Sequence, residues 1–243
     1  MQILDGKALL EREKPRLREK CQRLTSQLGR TPALRVVIVG EDPASKVYVR
    51  NKGKACDELG FYSVTEHLPE DVSEKKLLDL IGEFNDDIDI HGILVQLPLP
   101  PHINQQKVIE KIDYKKDVDG FHPVNAGYLM IGEKCFVPCT PAGVVEMLRV
   151  SGIETDGKHV VVLGRSNIVG KPVANLLLRK EHNATVTVCH SRTKNMKDIT
   201  STADILIAAI GKPEYVKSDF IREGCVVIDV GITRITSTQT KSG

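Results

Sequence analysis

The stretch HVVVLGRSNIVGKPVANLL, residues 159–177, determines the fold predicted for the C-terminal part of this chain. Its first five residues, His159 to Leu163, form an apolar β-branched run of the kind found in buried parallel strands. Gly164 and Gly170 then enclose a polar turn, and a helix is predicted from Val169 to Leu178. A strand, a glycine turn and a helix in this order present backbone N–H groups and the positive end of a helix dipole, which suits a phosphate group.

Apolar runs on the C-terminal side of this stretch predict further strands. They lie at Thr185 to Cys189, Ile205 to Ile210 and Cys225 to Val230. On the N-terminal side, Thr140 and Pro141 fit the N-cap and the first position of a helix that begins the same unit. Four strands with intervening helices predict a Rossmann-type dinucleotide-binding domain with a parallel sheet over residues 140–243.

The N-terminal part, residues 1–139, also alternates strands and helices. Strands are predicted at 33–39, 64–68 and 90–97, and helices at 44–59, after the N-cap Ser73 and at 108–112. A first helix is predicted from the spacing of Leu10, Leu17, Cys21, Leu24 and Leu28. The alternation predicts a second α/β domain with parallel strands. The turn formers in residues 113–139 predict an irregular segment before the domain boundary.

The glycine turn departs from the usual dinucleotide-binding pattern G-x-G-x-x-G, because Ser166 takes the place of the middle glycine. We therefore expect a bound pyrophosphate to be held less closely than in other dehydrogenases. Taken alone, the turn has a second interpretation as a simple connection between a strand and a helix.

Basic and hydroxyl side chains flank the glycine turn. Arg165 lies inside it, and Ser191 and Arg192 follow the next strand, where NAD-binding domains usually carry an acid for the ribose hydroxyls. A guanidinium and a hydroxyl group suit a 2′-phosphate instead. The pattern therefore favours NADP over NAD, and the alternative is that both arginines are solvated surface residues.

One lysine stands out on the helix predicted at residues 44–59. On a helical wheel, Tyr48, Lys52, Ala55 and Leu59 fall on one stripe. Lysine seldom occupies an apolar stripe, and burial there would favour a neutral amine that can act as a base or a donor. The alternative is that the Lys52 amine extends from the edge of the stripe into water.

Polar residues near the ends of predicted strands are further candidates. Gln96 interrupts an apolar strand close to its carboxyl end, where parallel α/β sheets bind ligands, and it either meets a ligand or makes a structural hydrogen bond. Asp117 and Asp119 lie in a turn before the domain boundary. A carboxylate there can bind an aminopyrimidine through two parallel hydrogen bonds, although acid–glycine turns are mostly structural. His122 has no other metal ligands around it, so we interpret it as a loop histidine.

Bulk composition argues against several classes of protein. The 243 residues contain 34 Lys and Arg against 32 Asp and Glu, without a basic block, which argues against nucleic-acid binding. No apolar run approaches the ~20 residues needed to span a bilayer, and the N-terminus has no secretory or transit pattern. The six cysteines lie mostly in apolar runs without metal-ligand spacing, so we expect reduced thiols in a cytoplasmic protein without a metal site.

Six segments of the chain resemble the motifs of one family, in the family's order. They are YVRNKGKAC (48–56), GILVQLPLP (92–100), KDVDGFHPVNAG (116–127), PCTPAG (138–143), GRSNIVGKP (164–172) and VIDVGI (227–232). Together they resemble the bifunctional methylenetetrahydrofolate dehydrogenase/methenyltetrahydrofolate cyclohydrolase family over nearly the whole chain. The resemblance implies a folate-binding α/β domain at 1–139, an NADP-binding Rossmann domain at 140–243, and oxidation and then hydrolysis of a tetrahydrofolate derivative in one-carbon metabolism.

The same resemblance implies roles for single residues. Lys52 would be the catalytic lysine, and Gln96 would hold and tune it. Tyr48 would pack near the folate, and Asp119 would bind the pterin. The cofactor-binding residues would be Gly164, Arg165, Ser166, Gly170, Ser191 and Ile232, with Arg165 and Ser191 at the 2′-phosphate of NADP.

The resemblance also bears on assembly and length. It implies a homodimer joined through its Rossmann domains, with a folate cleft between the two domains of each subunit. It further implies residues beyond Gly243, including a Pro- and Gly-rich segment beside the cofactor. Two other functions are compatible with the residues alone, namely an NADP-dependent dehydrogenase for a hydroxy acid and a dinucleotide-binding module without catalysis.

Overall fold

A computed structural model describes residues 3–231 of the chain. The chain forms two compact units, Met1–Pro138 and Cys139–Gly243. Each unit contains a parallel sheet with helices packed against it, which confirms the predicted α/β class. Among the described helices, none has the length and apolar character needed to cross a membrane.

The first unit is a three-stranded parallel sheet with helices on both faces. Its helices are α1 (Gly6–Leu28), α2 (Pro43–Leu59), α3 (Glu74–Asp86), α4 (Gln105–Lys111) and α5 (Pro123–Ile131), and its strands are β1 (Ala33–Val39), β2 (Tyr62–Leu68) and β3 (Gly92–Val95). The strand order is β2-β1-β3, with Val36 opposite Thr65 on one side and Leu94 on the other. The central strand β1 therefore has hydrogen-bonded neighbours on both edges.

Successive residues of β1 enter different cores, because side chains alternate across a strand. Val37 packs with Leu77 of α3 and Val108 of α4. The next residue, Ile38, packs with Val49 of α2 on the opposite face. Burial of both faces explains why residues 36–39 form a continuous apolar run instead of an alternating one.

The prediction that residues 113–139 are irregular was wrong, because this segment contains helix α5. The residues that suggested turns instead begin and end this helix. Pro123 occupies its first turn, and the His122 ring Nδ1 accepts a hydrogen bond from the Val124 N–H at 3.1 Å as an N-cap. Gly132 ends the helix in the left-handed conformation, with φ of 83°.

The second unit is a four-stranded parallel sheet of Rossmann type. Its elements are α6 (Cys139–Val150), β4 (His159–Leu163), α7 (Gly170–Leu177), β5 (Thr185–Cys189), α8 (Met196–Thr200), β6 (Ile205–Ala208), a 3-10 turn (Ser218–Phe220) and β7 (Val226–Asp229). The strand order is β5-β4-β6-β7. The central strand β4 supplies Val160 and Val162 to one core and Val161 and Leu163 to the other.

Three details of the predicted elements need correction. Helix α6 begins at Cys139, so Thr140 lies in its first turn and is not the N-cap. Pro141 also lies in the first turn, where the missing N–H of proline costs no helical hydrogen bond. Strand β3 ends at Val95, short of the predicted Leu97. Most of the six cysteines were expected to be buried, but only Cys21 and Cys189 are, since Cys56, Cys135 and Cys225 are half-buried and Cys139 is exposed.

Candidate functional site

The structure brings together Lys52 and Gln96 in the first unit. Lys52 lies on α2, the helix that follows β1, and Gln96 is the first residue after β3, the strand beside β1. The Lys52 Nζ donates a hydrogen bond to Gln96 Oε1 at 3.3 Å. This contact lies beyond the carboxyl ends of neighbouring parallel strands, where such sheets bind ligands.

The orientation of the Gln96 amide is set by its other hydrogen bonds. Its backbone N–H donates to the Val37 carbonyl at 2.8 Å, and its Nε2 donates to the Leu97 carbonyl at 2.7 Å. Because the NH2 group is used within the chain, the amide oxygen faces the Lys52 amine. From the sequence, Gln96 could either meet a ligand or make a structural hydrogen bond. In the structure its side chain makes two hydrogen bonds, one to the Leu97 carbonyl and one to Lys52.

The stripe of Tyr48 and Lys52 is not the buried face of α2. That face carries Ser45 and Val49, while Tyr48 is 41% exposed and Lys52 is half-buried. Each residue turns about 100° around a helix, so positions 48 and 52 lie beside the core-facing positions. Lys52 therefore lies at the edge of the buried face, where its amine reaches Gln96.

Asp119 lies close enough to Lys52 for the charge of the lysine to act on its carboxyl group. The residue is half-buried, and burial is the main cause that raises the pKa of its carboxyl group above the ordinary aspartate value. The charge of Asp117 raises this pKa further, and the charge of Lys52 lowers it. Within residues 3–231, no side chain or backbone group donates a hydrogen bond to the Asp119 carboxylate, so it remains able to accept bonds from a ligand.

Asp117 has a different environment from Asp119. It is 2% exposed, and its Oδ2 accepts hydrogen bonds from the His122 N–H at 2.8 Å and from Asn125 Nδ2 at 2.9 Å. Its carboxylate therefore holds the loop of residues 116–122, termed the aspartate loop, against the start of α5. The His122 ring caps α5, as described above, and no cluster of three metal-ligating side chains occurs in the described part of the chain.

In the second unit, the turn between β4 and α7 is tightly closed. Gly164 has φ of 119°, a conformation that residues with a side chain rarely adopt, and a Cβ there would overlap the Ala209 carbonyl oxygen. A Cβ on Gly170 would overlap the Gly164 carbonyl oxygen. The two glycines thus allow the strand and the helix to approach each other, as a phosphate-binding turn requires.

Ser166 has a role that sequence reasoning missed. Its hydroxyl oxygen accepts hydrogen bonds from the N–H groups of Val169 and Gly170 at 3.2 and 3.3 Å. The serine in place of the middle glycine therefore ties the turn to the start of α7, whose N-cap residue Val169 makes no side-chain cap hydrogen bond. The available signal was the residue type, since serine side chains in turns bond to backbone groups a few residues along the chain.

The side chains predicted to bind a 2′-phosphate are accessible. Arg165, Ser191 and Arg192 are all exposed. The turn after β5 is held by the Thr193 hydroxyl, which accepts from the His190 N–H at 2.9 Å. Within residues 3–231, neither arginine makes an ion pair, so both guanidinium groups can meet an anion. Ile232, also expected at the cofactor, lies outside the described residues.

These features define a class of protein. The second unit has the fold and the glycine turn of a dinucleotide-binding domain, and the first has a lysine, an amide and an acid grouped beyond its sheet, so the chain has the build of a two-domain dinucleotide-dependent enzyme. Residues 4–119 match the family described as tetrahydrofolate dehydrogenase/cyclohydrolase, catalytic domain, and residues 138–243 match the NAD(P)-binding domain of the same family. The chain belongs to the tetrahydrofolate dehydrogenase/cyclohydrolase family.

Individual relatives agree with this assignment. The chain is 55% identical over 233 residues to a bifunctional FolD protein of Streptococcus agalactiae, covering 96% of this chain and 81% of that protein. A crystal structure of the bifunctional FolD enzyme of Campylobacter jejuni matches with a TM-score of 0.94 and 48% identity, covering 98% of this chain and 84% of that one. The Trypanosoma brucei enzyme, solved with NADP and an inhibitor, matches with a TM-score of 0.92 and 40% identity over 98% and 82% of the two chains.

Proposed function

We propose that this chain oxidises 5,10-methylenetetrahydrofolate to 5,10-methenyltetrahydrofolate with NADP and hydrolyses the product to 10-formyltetrahydrofolate, as an enzyme of one-carbon metabolism. The observation that carries the proposal is the Lys52–Gln96 hydrogen bond beside Asp119, in a chain that belongs to the tetrahydrofolate dehydrogenase/cyclohydrolase family. A base, an amide that orients it and a carboxylate for the pterin are the groups that this pair of reactions needs.

The residues of the second unit fit NADP. A Cβ at Gly164 would overlap the Ala209 carbonyl and a Cβ at Gly170 would overlap the Gly164 carbonyl, so glycine keeps this turn closed. Arg165 and Ser191 offer an exposed cation and an exposed hydroxyl group. We assign the turn to the pyrophosphate and these two side chains to the 2′-phosphate. Bound there, NADP would supply the acceptor for the hydride of the folate methylene carbon.

In the first unit, we assign the residues two tasks, namely to orient the folate and to accept a proton. The Asp119 carboxylate accepts hydrogen bonds from the pterin amidine, and exposed Tyr48 provides an aromatic surface beside it. Hydride loss from the methylene carbon releases no proton, so this step needs alignment and no base.

Hydrolysis of the methenyl product does require a base. The oxygen of water bonds to the methenyl carbon and one water proton leaves. The bond from that carbon to N5 then breaks as N5 takes up a proton, and the remaining hydroxyl proton leaves as the formyl C=O forms, so one proton is released overall. We assign the acceptor of the water proton to the Lys52 amine, with Gln96 Oε1 accepting from the amine and fixing its direction.

Turnover of methylenetetrahydrofolate tests the proposed function. We expect NADPH to appear at its own absorbance and methenyltetrahydrofolate to form and then decay. Turnover of a hydroxy acid instead would favour another dehydrogenase. NADP binding without turnover of either substrate would indicate a dinucleotide-binding module and would contradict the proposal.

Replacement of Arg165 by alanine is expected to raise KM for NADP by at least about tenfold, because a charge-assisted bond to phosphate contributes roughly 1.5–3 kcal/mol. KM for NAD should change little, since NAD lacks the 2′-phosphate. Lys180→Ala, an exposed cation of the same unit, serves as the matched control. Equal kcat/KM values of the wild-type enzyme for NADP and NAD would rule out this role for Arg165.

Replacement of Asp119 by asparagine is expected to weaken folate binding by at least about tenfold, because the bond to the pterin amidine loses its charge. NADP binding should be spared. Calorimetric titration with folate and with NADP separates the two effects, and unchanged folate affinity would refute the assignment of Asp119.

The same variant should be more stable than the wild type at neutral pH. The folded-state pKa of Asp119 is raised, so the folded state holds its proton to higher pH than the unfolded state does. The residue's contribution to stability is therefore present at acidic pH and is lost as pH rises through the folded pKa. Urea unfolding from about pH 3 to pH 7 should show Asp119→Asn gaining stability over the wild type as pH rises.

We further propose a cytoplasmic homodimer joined through the second units. Among the described strands, β5 lies at the edge of its sheet, and Val188 on it is 38% exposed, which supports contact with a second copy at this strand. Light scattering after gel filtration measures the mass, and a monomer at micromolar concentration would contradict this part of the proposal.

A further inference from the structure

The aspartate loop, residues 116–122, is attached to helix α3 through the side chain of Lys116. The Lys116 ammonium donates to the carbonyl oxygens of Phe84 at 3.0 Å, Asn85 at 2.7 Å and Asp87 at 2.7 Å. An ammonium has three N–H donors, so all of them are used. The last turn of α3 carries no basic residue of its own, and Lys116 supplies the cation that a helix C-terminus favours.

The backbone of Lys116 is held as firmly as its side chain. Its carbonyl accepts a hydrogen bond from the Ile93 N–H of β3 at 2.8 Å, and its N–H donates to the Asp113 carbonyl at 2.7 Å. Asn85 of α3 also clamps the preceding chain, since its Nδ2 donates to the Lys111 carbonyl at 2.7 Å. The start of the aspartate loop is therefore fixed to both α3 and β3.

The rest of the loop leaves little freedom for Asp119. Asp117, next to Lys116, is tied to His122 and Asn125 by the hydrogen bonds described above. Val118 packs so closely on β3 that a Cβ at Gly92 would lie 2.5 Å from its Cγ1. With no hydrogen bond of its own to the described residues, the Asp119 carboxylate depends on these neighbours for its position beside Lys52.

We propose that Lys116 is a positioning residue for the folate reaction: by joining the aspartate loop to the C-terminus of α3, its ammonium holds the Asp119 carboxylate beside Lys52. This inference rests on the proposed function, in which Asp119 binds the pterin. Lys116 itself touches neither substrate nor cofactor, because its three donors are used by α3.

Lys116→Met tests the inference, because methionine keeps the chain length and removes the donors. We expect KM for methylenetetrahydrofolate to rise at least about tenfold, because the charged hydrogen bond from the pterin to Asp119 would be misaligned. NADP affinity should be unchanged. Lys116→Arg keeps a cation with several donors and should restore most of the folate affinity. Lys115→Met, which changes the exposed neighbouring lysine, should behave as the wild type.

A spectroscopic measurement gives a readout that does not depend on turnover. Carbon-13 NMR of the Asp119 carboxyl carbon, assigned with Asp119→Asn, follows its titration. Burial and the Asp117 charge raise this pKa and the Lys52 charge lowers it. If Lys116→Met releases the loop, water reaches Asp119 and its pKa should fall toward the ordinary value. If Lys116 only stabilised the fold, Lys116→Met would lower Tm and leave the Asp119 titration unchanged.

Each outcome decides the question. A folded Lys116→Met protein with wild-type folate KM and wild-type Asp119 titration would overturn the inference. Should that variant not fold, Lys116→Gln retains two N–H donors, and a wild-type titration and KM in it would have the same meaning. If the wild-type chain does not turn over methylenetetrahydrofolate, the proposed function fails, while the Asp119 titration in the variants still tests the positioning role.

Discussion

Replacement of Lys52 by glutamine is expected to lower cyclohydrolase activity by at least about a hundredfold, within the range of roughly 10²–10⁴ that a positioned base contributes. Hydride transfer should stay measurable, because it releases no proton. Glutamine keeps a hydrogen-bonding group near Gln96 but cannot accept a proton from water. Methenyltetrahydrofolate should therefore accumulate, which its absorbance reports directly.

Two other variants serve as comparisons for Lys52→Gln. Lys54→Gln changes an exposed lysine of the same helix and should leave both activities unchanged. Lys52→Met also removes the hydrogen bond to Gln96 and should reduce both steps by misplacing the folate. Hydrolysis of the methenyl compound at the wild-type rate by Lys52→Gln would show that Lys52 is not the base and that its contact with Gln96 is structural.

Replacement of Gly170 by alanine is expected to weaken the affinity for NADP by about a hundredfold or more. The added Cβ would overlap the carbonyl of Gly164 and approach the Arg165 backbone, and backbone atoms cannot rotate away as a side chain can. The turn must open, which displaces Arg165 and costs about 1–3 kcal/mol in the second unit, as overpacking does. Calorimetric titration with NADP and thermal unfolding measure the two effects.

Gly143→Ala is the matched control for this substitution. Gly143 is an exposed residue of α6 in the same unit, and a Cβ there meets no atom within 4 Å. Alanine should be neutral or stabilising there, by up to about 1 kcal/mol of helix propensity. If Gly170→Ala bound NADP as well as Gly143→Ala does, the closed turn would not be the phosphate site.

Features that depend on neighbours along the chain were predicted well. Strands β1, β4 and β5 begin and end where their apolar runs do, and Ser73 caps α3 through the Lys76 N–H at 3.2 Å. These features follow from burial and capping, which act over a few residues. Helix α5 was missed because proline, asparagine and glycine indicate a turn or a helix boundary equally well by their type alone.

The sequence by itself determined the two α/β domains, the glycine turn and NADP as the cofactor, and it supplied the set of candidate residues, because periodicity, residue type and motif order carry that information. Only the tertiary structure decided which face of α2 holds Lys52, that Asp117 is structural while Asp119 is available, and that Lys116 binds the end of α3. These outcomes depend on hydrogen bonds between residues far apart in the chain. No local pattern specifies such bonds, because they form only when the sheet brings its strand ends together.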